Sequence, residues 1–310
     1  NPAYFYGVFD PNDMRRDVSI TMTGSNGKGV EKLIPFVPNS KAEGGGLTLN
    51  KWDENRQANP WVAAQRKSGI NGPYMRMSEV YLGYAEVCAA LGDVVTGKQY
   101  LKTVRERSFP QGLADTDGFI ASFGNDLVRA IIEERGFEYA GEGDRRWTLI
   151  RSGYLPEDIK RIKDMTKAMM DGLATKGYYE FENGNIISAY IWTKLVDAKT
   201  IYGHRLTAQC PTDKVNDPVL YPGWRGQKDN WEEMGLNYGN SAPATNLAIK
   251  GLFEIVSEEE AASLESQGYA KVNWGIDLVD YRDEYDKYLF WDYDYVSAPI
   301  YLWPFTPNVM

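Results

Sequence analysis

The residues best suited to chemistry are carboxylates that stand close to arginines. Glu133, Glu134 and Glu138 fall within six positions, and Arg135, Arg145, Arg146 and Arg151 surround or follow them. Two carboxylates in one cleft are what glycoside hydrolysis needs. Here the three carboxylates share their stretch with four arginines. A locked set of ion pairs between a helix and the following turn is therefore the expected role, with Arg145 or Arg146 paired to Glu134 or Glu138. His204 is the one histidine, and neither a G-x-S-x-G elbow nor an activated-cysteine context accompanies it, which argues against nucleophilic catalysis. Zinc-type ligand spacing is absent. Asp115-Thr-Asp117-Gly118 opens like a calcium loop but reads as a turn, and Asp292 and Asp294 also read as structural. Gly24 to Gly29 is too short for a phosphate loop and reads as a hairpin turn. No catalytic residue, metal or cofactor is assigned.

Aromatic content carries a different chemistry. Nine Trp, 21 Tyr and 11 Phe make up 13% of the chain, and many stand beside Gly, Asn, Asp and Pro. A sugar ring has an apolar C–H face that a flat indole covers, while Asn, Asp and Arg bond its hydroxyl rim. Two stretches supply both ingredients. One runs from Asn50 to Trp61, and the other from Tyr221 to Tyr238. They nominate Trp52, Trp61, Trp224, Arg225, Asn230 and Trp231 as ligand-binding residues. The regular spacing of Tyr281, Tyr285, Tyr288, Trp291, Tyr293 and Tyr295 assigns the 281–303 region to core instead.

These stretches need a scaffold. Beyond Asn71-Gly72-Pro73, Met77, Val80, Tyr81, Tyr84, Cys88 and Leu91 recur at three-four spacing, which predicts a helix over 74–91 with one apolar stripe, ended by Gly92. Further helices are expected over 97–108, 126–140 and 156–172, with 74–91, 97–108 and 126–140 packed as one layer. Ser257 to Glu260 forms a capping box for another short helix, closed by Gly268. The first two helices make a hairpin of tetratricopeptide shape. Such a hairpin must stack on neighbours to bury its second face, which suggests further sequence upstream. The remainder, 175–245 included, reads as irregular and aromatic. The fold class is mainly α: tetratricopeptide-like helical hairpins with long irregular loops and a few short strands. Residues 1–310 read as one unit, with a helical layer at about 74–172.

Composition narrows the partners. With 310 residues and a net charge of −9, the chain is repelled by phosphate backbones, so nucleic acid is not expected. Two cysteines make no disulfide framework. No apolar run reaches the roughly 18 residues of a spanning helix. The opening NPAYFYGVFDPND is not a signal peptide, so any export signal is expected upstream.

Five motifs then carry a resemblance. Arg76-Met-Ser-Glu79-Val-Tyr-Leu82-Gly-Tyr-Ala85-Glu86 resembles the R-x-x-E-x-Y-L-x-x-A-E helix of SusD/RagB proteins. Val104-Arg105-Glu-Arg107 resembles the end of their next helix. The run from Ile132 through Glu134-Arg135, Glu138, Gly141-Glu142-Gly143 and Arg145 to Arg151 is similar to their E-R-x-x-E-x-x-G-E-G-x-R-x-x-D-L-x-R segment, with Thr148 in place of the usual Asp. Asp10 to Asp17 resembles their D-x-R turn, and Ile300 to Pro307 their closing aromatic-Pro segment. The match is to the C-terminal part of the family, best over 74–153. The resemblance implies a surface lipoprotein of the Bacteroidetes outer membrane, anchored through an N-terminal segment outside this chain. It implies a binding protein and not an enzyme. Its ligand would be an oligosaccharide or polysaccharide, passed to a SusC-like TonB-dependent transporter. Two other readings stand beside it: a helical scaffold for a peptide or protein partner, and a carboxylate-dependent glycosidase.

Overall fold

A computed structural model describes residues 2–25, 31–34, 48–49, 51, 72–197 and 245–275. The described chain is mainly α, with short strands in small antiparallel sheets.

The expected helical layer is present. Helices α3 (Met77–Ala90) and α4 (Val94–Glu106) form a hairpin, and α6 (Leu127–Glu138) packs against both. The short α5 (Thr116–Ala121) links them. Aspartates start three of these helices. Asp93, Asp115 and Asp126 accept hydrogen bonds from the backbone N–H of Thr96, Gly118 and Arg129, at 3.1, 2.8 and 3.0 Å. Each satisfies a first-turn donor that has no partner within the helix. Asp115-Thr-Asp117-Gly118, expected as a turn, thus opens a helix with Asp115 as its cap. Leu82, Ala85, Leu101, Val104, Ala130 and Ile131 fill the space between the helices.

The buried face of α3 differs from the expected stripe. Ser78, Leu82, Ala85 and Cys88 face the core, whereas Met77, Val80, Tyr84 and Leu91 are half exposed or more, Leu91 at 82%. The reason is closeness. Gly97 of α4 sits so near that a Cβ there would lie 3.0 Å from the Ala85 carbonyl oxygen. Only the face with small side chains admits that approach, so the bulkier stripe is left outward.

After α6, Gly143 (φ 85°) opens α7 (Asp144–Ser152) and Gly153 (φ 79°) closes it. Next comes α8 (Leu155–Lys176), which is longer than expected because Gly172 lies inside it. There a Cβ would meet Tyr179 Cδ2 at 2.7 Å, so the glycine serves the contact with the following hairpin.

Residues 175–197, expected as irregular, contain strands. β5 (Tyr178–Glu180) pairs with β6 (Ile186–Ser188) across a turn at Asn183-Gly184. β7 (Tyr190–Asp197) is the centre of a three-stranded sheet between β8 (Thr245–Lys250) and β9 (Ala270–Asn273). Its register sets Leu195 opposite Leu247 and Ile191 opposite Val272. Helix α9 (Glu258–Ser266) carries the expected capping box, with Ser257 and Glu260 bonding reciprocally. A second core joins this sheet to α8 and to α1 (Pro2–Val8): Tyr6, Met169, Met170, Ile187, Ile191 and Ile249 are all buried in it. Near the start, α2 (Arg15–Ser19) leads into β1 (Ile20–Thr21), which pairs with β4 (Thr48–Leu49). β2 (Thr23–Ser25) pairs with β3 (Glu31–Leu33).

Candidate functional site

The six residues nominated for ligand contact, Trp52, Trp61, Trp224, Arg225, Asn230 and Trp231, lie outside the described residues. So do His204, Asp292, Asp294 and the closing Ile300 to Pro307. The structure does describe the scaffold that meets the first of those stretches, and it is built from charge.

Helix α6 is buried along nearly its whole length, although it carries Arg129, Glu133, Glu134, Arg135 and Glu138. Buried ions persist only when paired and hydrogen-bonded. Two hubs accomplish this. In the first, Glu134 accepts from Arg15 Nη1 at 2.5 Å and from Arg105 Nη1 at 3.0 Å. Glu138 accepts from Arg15 Nη1 at 3.2 Å, from Arg76 Nη1 at 2.6 Å and from Arg107 Nη2. Asp13 holds Arg15 through Nε and Nη2. The Arg105 guanidinium also sits 3.9 Å from the Phe119 ring centre and 4.6 Å from that of Phe109, so its apolar faces are covered.

The second hub lies one residue earlier on α6. Arg145 Nη2 donates to Glu133 at 2.8 Å and to Asp158 at 2.9 Å, and Arg161 Nη2 donates to the same two carboxylates at 3.1 and 2.7 Å. This corrects the expected pairing. Arg145 belongs to Glu133 and Asp158, while Glu134 and Glu138 take their arginines from the chain start, α3 and α4. Thr148, where the resemblance anticipates Asp, is buried. Its hydroxyl donates to Asp144 at 2.9 Å and lies 3.3 Å from Arg135 Nε, and Arg135 Nη2 reaches Asp144 at 2.6 Å. The neighbouring Asp144 therefore supplies the charge opposite Arg135.

The electrostatics fit a scaffold better than a catalyst. Burial pushes the Glu138 carboxyl up, but Arg107, Arg15 and Arg76 override it and hold it at about 2. Asp158 is likewise lowered, burial opposing and Arg145 and Arg161 prevailing. A general acid at neutral pH requires the opposite shift. Among the described residues, no group of His, Cys, Asp and Glu is arranged to hold a metal ion.

The charged residues of four of the five sequence motifs converge in these contacts. Asp13 and Arg15 come from the Asp10–Asp17 motif and Arg76 from the motif that opens α3. Arg105 and Arg107 come from the Val104–Arg107 motif, and Glu134, Glu138, Glu142 and Arg145 from the Ile132–Arg151 run. Arg151 also pairs with Glu86 of α3. The motifs are sequence-distant halves of ion pairs.

One corner of this network meets the first aromatic stretch. Lys51 Nζ donates to Glu142 Oε1 and, at 2.7 Å, to the Glu138 carbonyl. Arg76 bonds both Glu142 oxygens, Oε2 from Nε at 3.1 Å and Oε1 from Nη2 at 2.8 Å, and it reaches the Glu138 carbonyl at 3.0 Å. Trp52 follows Lys51 directly in the sequence. Sequence reasoning did not single out Lys51, because a lysine before a tryptophan carries no pattern.

Two further surface features were not anticipated. A cavity of about 890 Å³ opens between α5, α8 and the β5–β6 hairpin, with Phe119, Phe123 and Phe181 on its walls and Asp10, Asp115 and Glu182 at its lining. Trp147 on α7 is 54% exposed, while Trp192 and Trp274 are buried. Among the described residues, no helix is long and apolar enough to cross a membrane.

Comparison with known proteins agrees with the motif reading. The model of the SusD family matches residues 5–304. A SusD-like protein, P25, of Formosa agariphila is 28% identical over 160 residues, which cover 51% of this chain and 26% of that relative. No solved structure matches.

Proposed function

Because this chain belongs to the SusD family, we propose that it forms part of a surface glycan-binding protein. In this reading the protein captures oligosaccharides and delivers them to a SusC-like TonB-dependent transporter. It is held at the outer membrane by a lipid anchor on an N-terminal segment. The family match carries the reading. The aromatic and polar composition of 50–61 and 221–238 supports it, because those stretches join flat rings to hydroxyl-bonding side chains.

Calorimetry of the whole protein against a glycan panel tests this, with Trp52, Trp61, Trp224 and Trp231 each changed to Ala. Binding in the micromolar to millimolar range, about 4–8 kcal/mol, is expected, with loss in at least one variant. Equal binding by all four variants would remove these stretches from the site. Absence of glycan binding would move a peptide or protein ligand ahead. The outward stripe of α3, from Met77 to Leu91, favours that second reading, since an apolar helix face is what a partner helix packs on.

A further inference from the structure

The cavity of about 890 Å³ between α5, α8 and the β5–β6 hairpin is unbalanced in charge. Its two arginines are committed to the buried hubs: Arg105 serves Glu134, and Arg161 serves Glu133 and Asp158. Asp164 pairs with Lys160 one turn away on α8. Three more lining carboxylates, Asp10, Asp115 and Glu182, make no ion pair among the described residues. They come from separate elements: the turn after α1, the start of α5 and the turn of the β5–β6 hairpin. Asp10 and Asp115 each hold a backbone N–H through Oδ1, that of Asn12 and that of Gly118, both at 2.8 Å. Their second oxygens have no described donor.

The walls between these carboxylates are aromatic. Phe119 and Phe123 meet edge to face at 5.2 Å, and Tyr179 and Phe181 do so at 4.8 Å. Ring faces attract a cation, and apolar walls cover a methylene stem. The wall also carries donors without acceptors. Arg105 is 3% exposed and lines the cavity, yet its Nε has no hydrogen-bond partner, and neither has Nε of Arg161. A buried donor left in this state is costly, and an oxygen brought by a ligand would answer it. One ligand must then supply a cation, a flexible apolar stem and oxygens that only accept. We propose that this cavity binds a peptide, with an arginine or lysine side chain between Asp10, Asp115 and Glu182 and backbone carbonyls toward Arg105 and Arg161.

Titration calorimetry on the whole protein tests this in 0.15 M salt, where attraction to the net charge of −9 is screened beyond about 8 Å. The probes are a triarginine peptide blocked at both ends, its citrulline counterpart, which keeps the shape without the charge, and a glucosamine hexamer. The triarginine peptide should bind, and the citrulline peptide should bind at least about tenfold more weakly. Glu182→Gln, Asp10→Asn and Asp115→Asn should each weaken the triarginine peptide about three- to tenfold. Asparagine keeps the backbone cap, so the melting temperature should hold. Glu259→Gln, on the exposed α9, should leave binding unchanged. No triarginine binding, equal binding of the citrulline peptide, no loss in the three variants or an equal loss in Glu259→Gln would each overturn the site. Tighter binding of the glucosamine hexamer, lost in the same three variants, would overturn the peptide in favour of an amino sugar.

The parent protein gives a second readout that does not depend on any variant. A carbodiimide takes up the water released when a carboxylate and an amine condense, so a trilysine peptide becomes joined by amide bonds to the carboxylates it meets. Peptide mapping should find those bonds on Asp10, Asp115 and Glu182 several-fold more often than on Glu258, Glu259 and Glu260. Even labelling, or none at the three cavity carboxylates, would overturn the proposal.

Discussion

Changing Glu138 to Gln keeps the side chain's shape and removes its charge from a site that is 2% exposed and faces three guanidiniums. The folded-state carboxyl sits at about 2 against an ordinary 4.5, because the arginines outweigh the effect of burial. A depressed carboxyl contributes stability that is complete above its unfolded value and fades as pH falls toward its folded one. At pH 7 that contribution is about 3 kcal/mol. At pH 3 the unfolded chain is largely protonated and the folded chain is not, which leaves about 1 kcal/mol. Glu138→Gln should therefore lose about 3 kcal/mol at pH 7 and about a third of that at pH 3. Urea unfolding of both proteins, followed by far-ultraviolet circular dichroism at the two pH values, measures the difference. Asp158 titrates in the same direction in both proteins, so its contribution cancels. A loss below about 1 kcal/mol at pH 7, or the same loss at both pH values, would show that the charge is not what stabilises the hub.

Other substitutions separate the buried network from its surroundings. Gly136→Ala adds a methyl 2.5 Å from Tyr4 Oη and 2.6 Å from Arg145 Nη1. Denaturant unfolding should show a loss of about 1–3 kcal/mol although alanine favours helix. Arg151→Ala breaks the pair with Glu86, but the arginine is 47% exposed, so the loss should stay under about 1 kcal/mol. Ser257→Ala removes the capping box of α9, worth about 1 kcal/mol. Since α9 has no buried residue, the effect should appear as faster amide exchange confined to that helix.

Much of the helical layer was legible because its signals are local. Three-four apolar spacing and glycine stops marked α3, α4 and α6 to within a few residues of their observed bounds. Which arginine meets which glutamate was not legible. Glu133 and Glu134 are adjacent, but successive helix positions differ by about 100° in direction. A one-residue choice therefore sends an arginine to the wrong hub. The choice of buried face on α3 was hidden too, because several faces are apolar and the close approach of Gly97 decided between them. The β5–β6 hairpin had its signal in Asn183-Gly184. Aromatic residues around it drew attention to recognition, yet Phe181 and Trp192 serve the core. α7 was missed as a separate helix because Asp144 to Trp147 shows no apolar stripe, and its glycine boundaries, not its pattern, define it.

The outward stripe of α3 also bears on how this chain behaves as a colloid. Met77, Val80, Tyr84, Val87 and Leu91 follow one another at three-four spacing, each half exposed or more. Two such surfaces attract at contact range, while a net charge of −9 keeps molecules apart at longer range. At about 0.01 M ionic strength that repulsion reaches some 30 Å, and at 0.15 M only about 8 Å. Added salt therefore brings the stripes within reach of each other. The chain in isolation disperses best in dilute buffer, the reverse of a protein held together by exposed charge pairs.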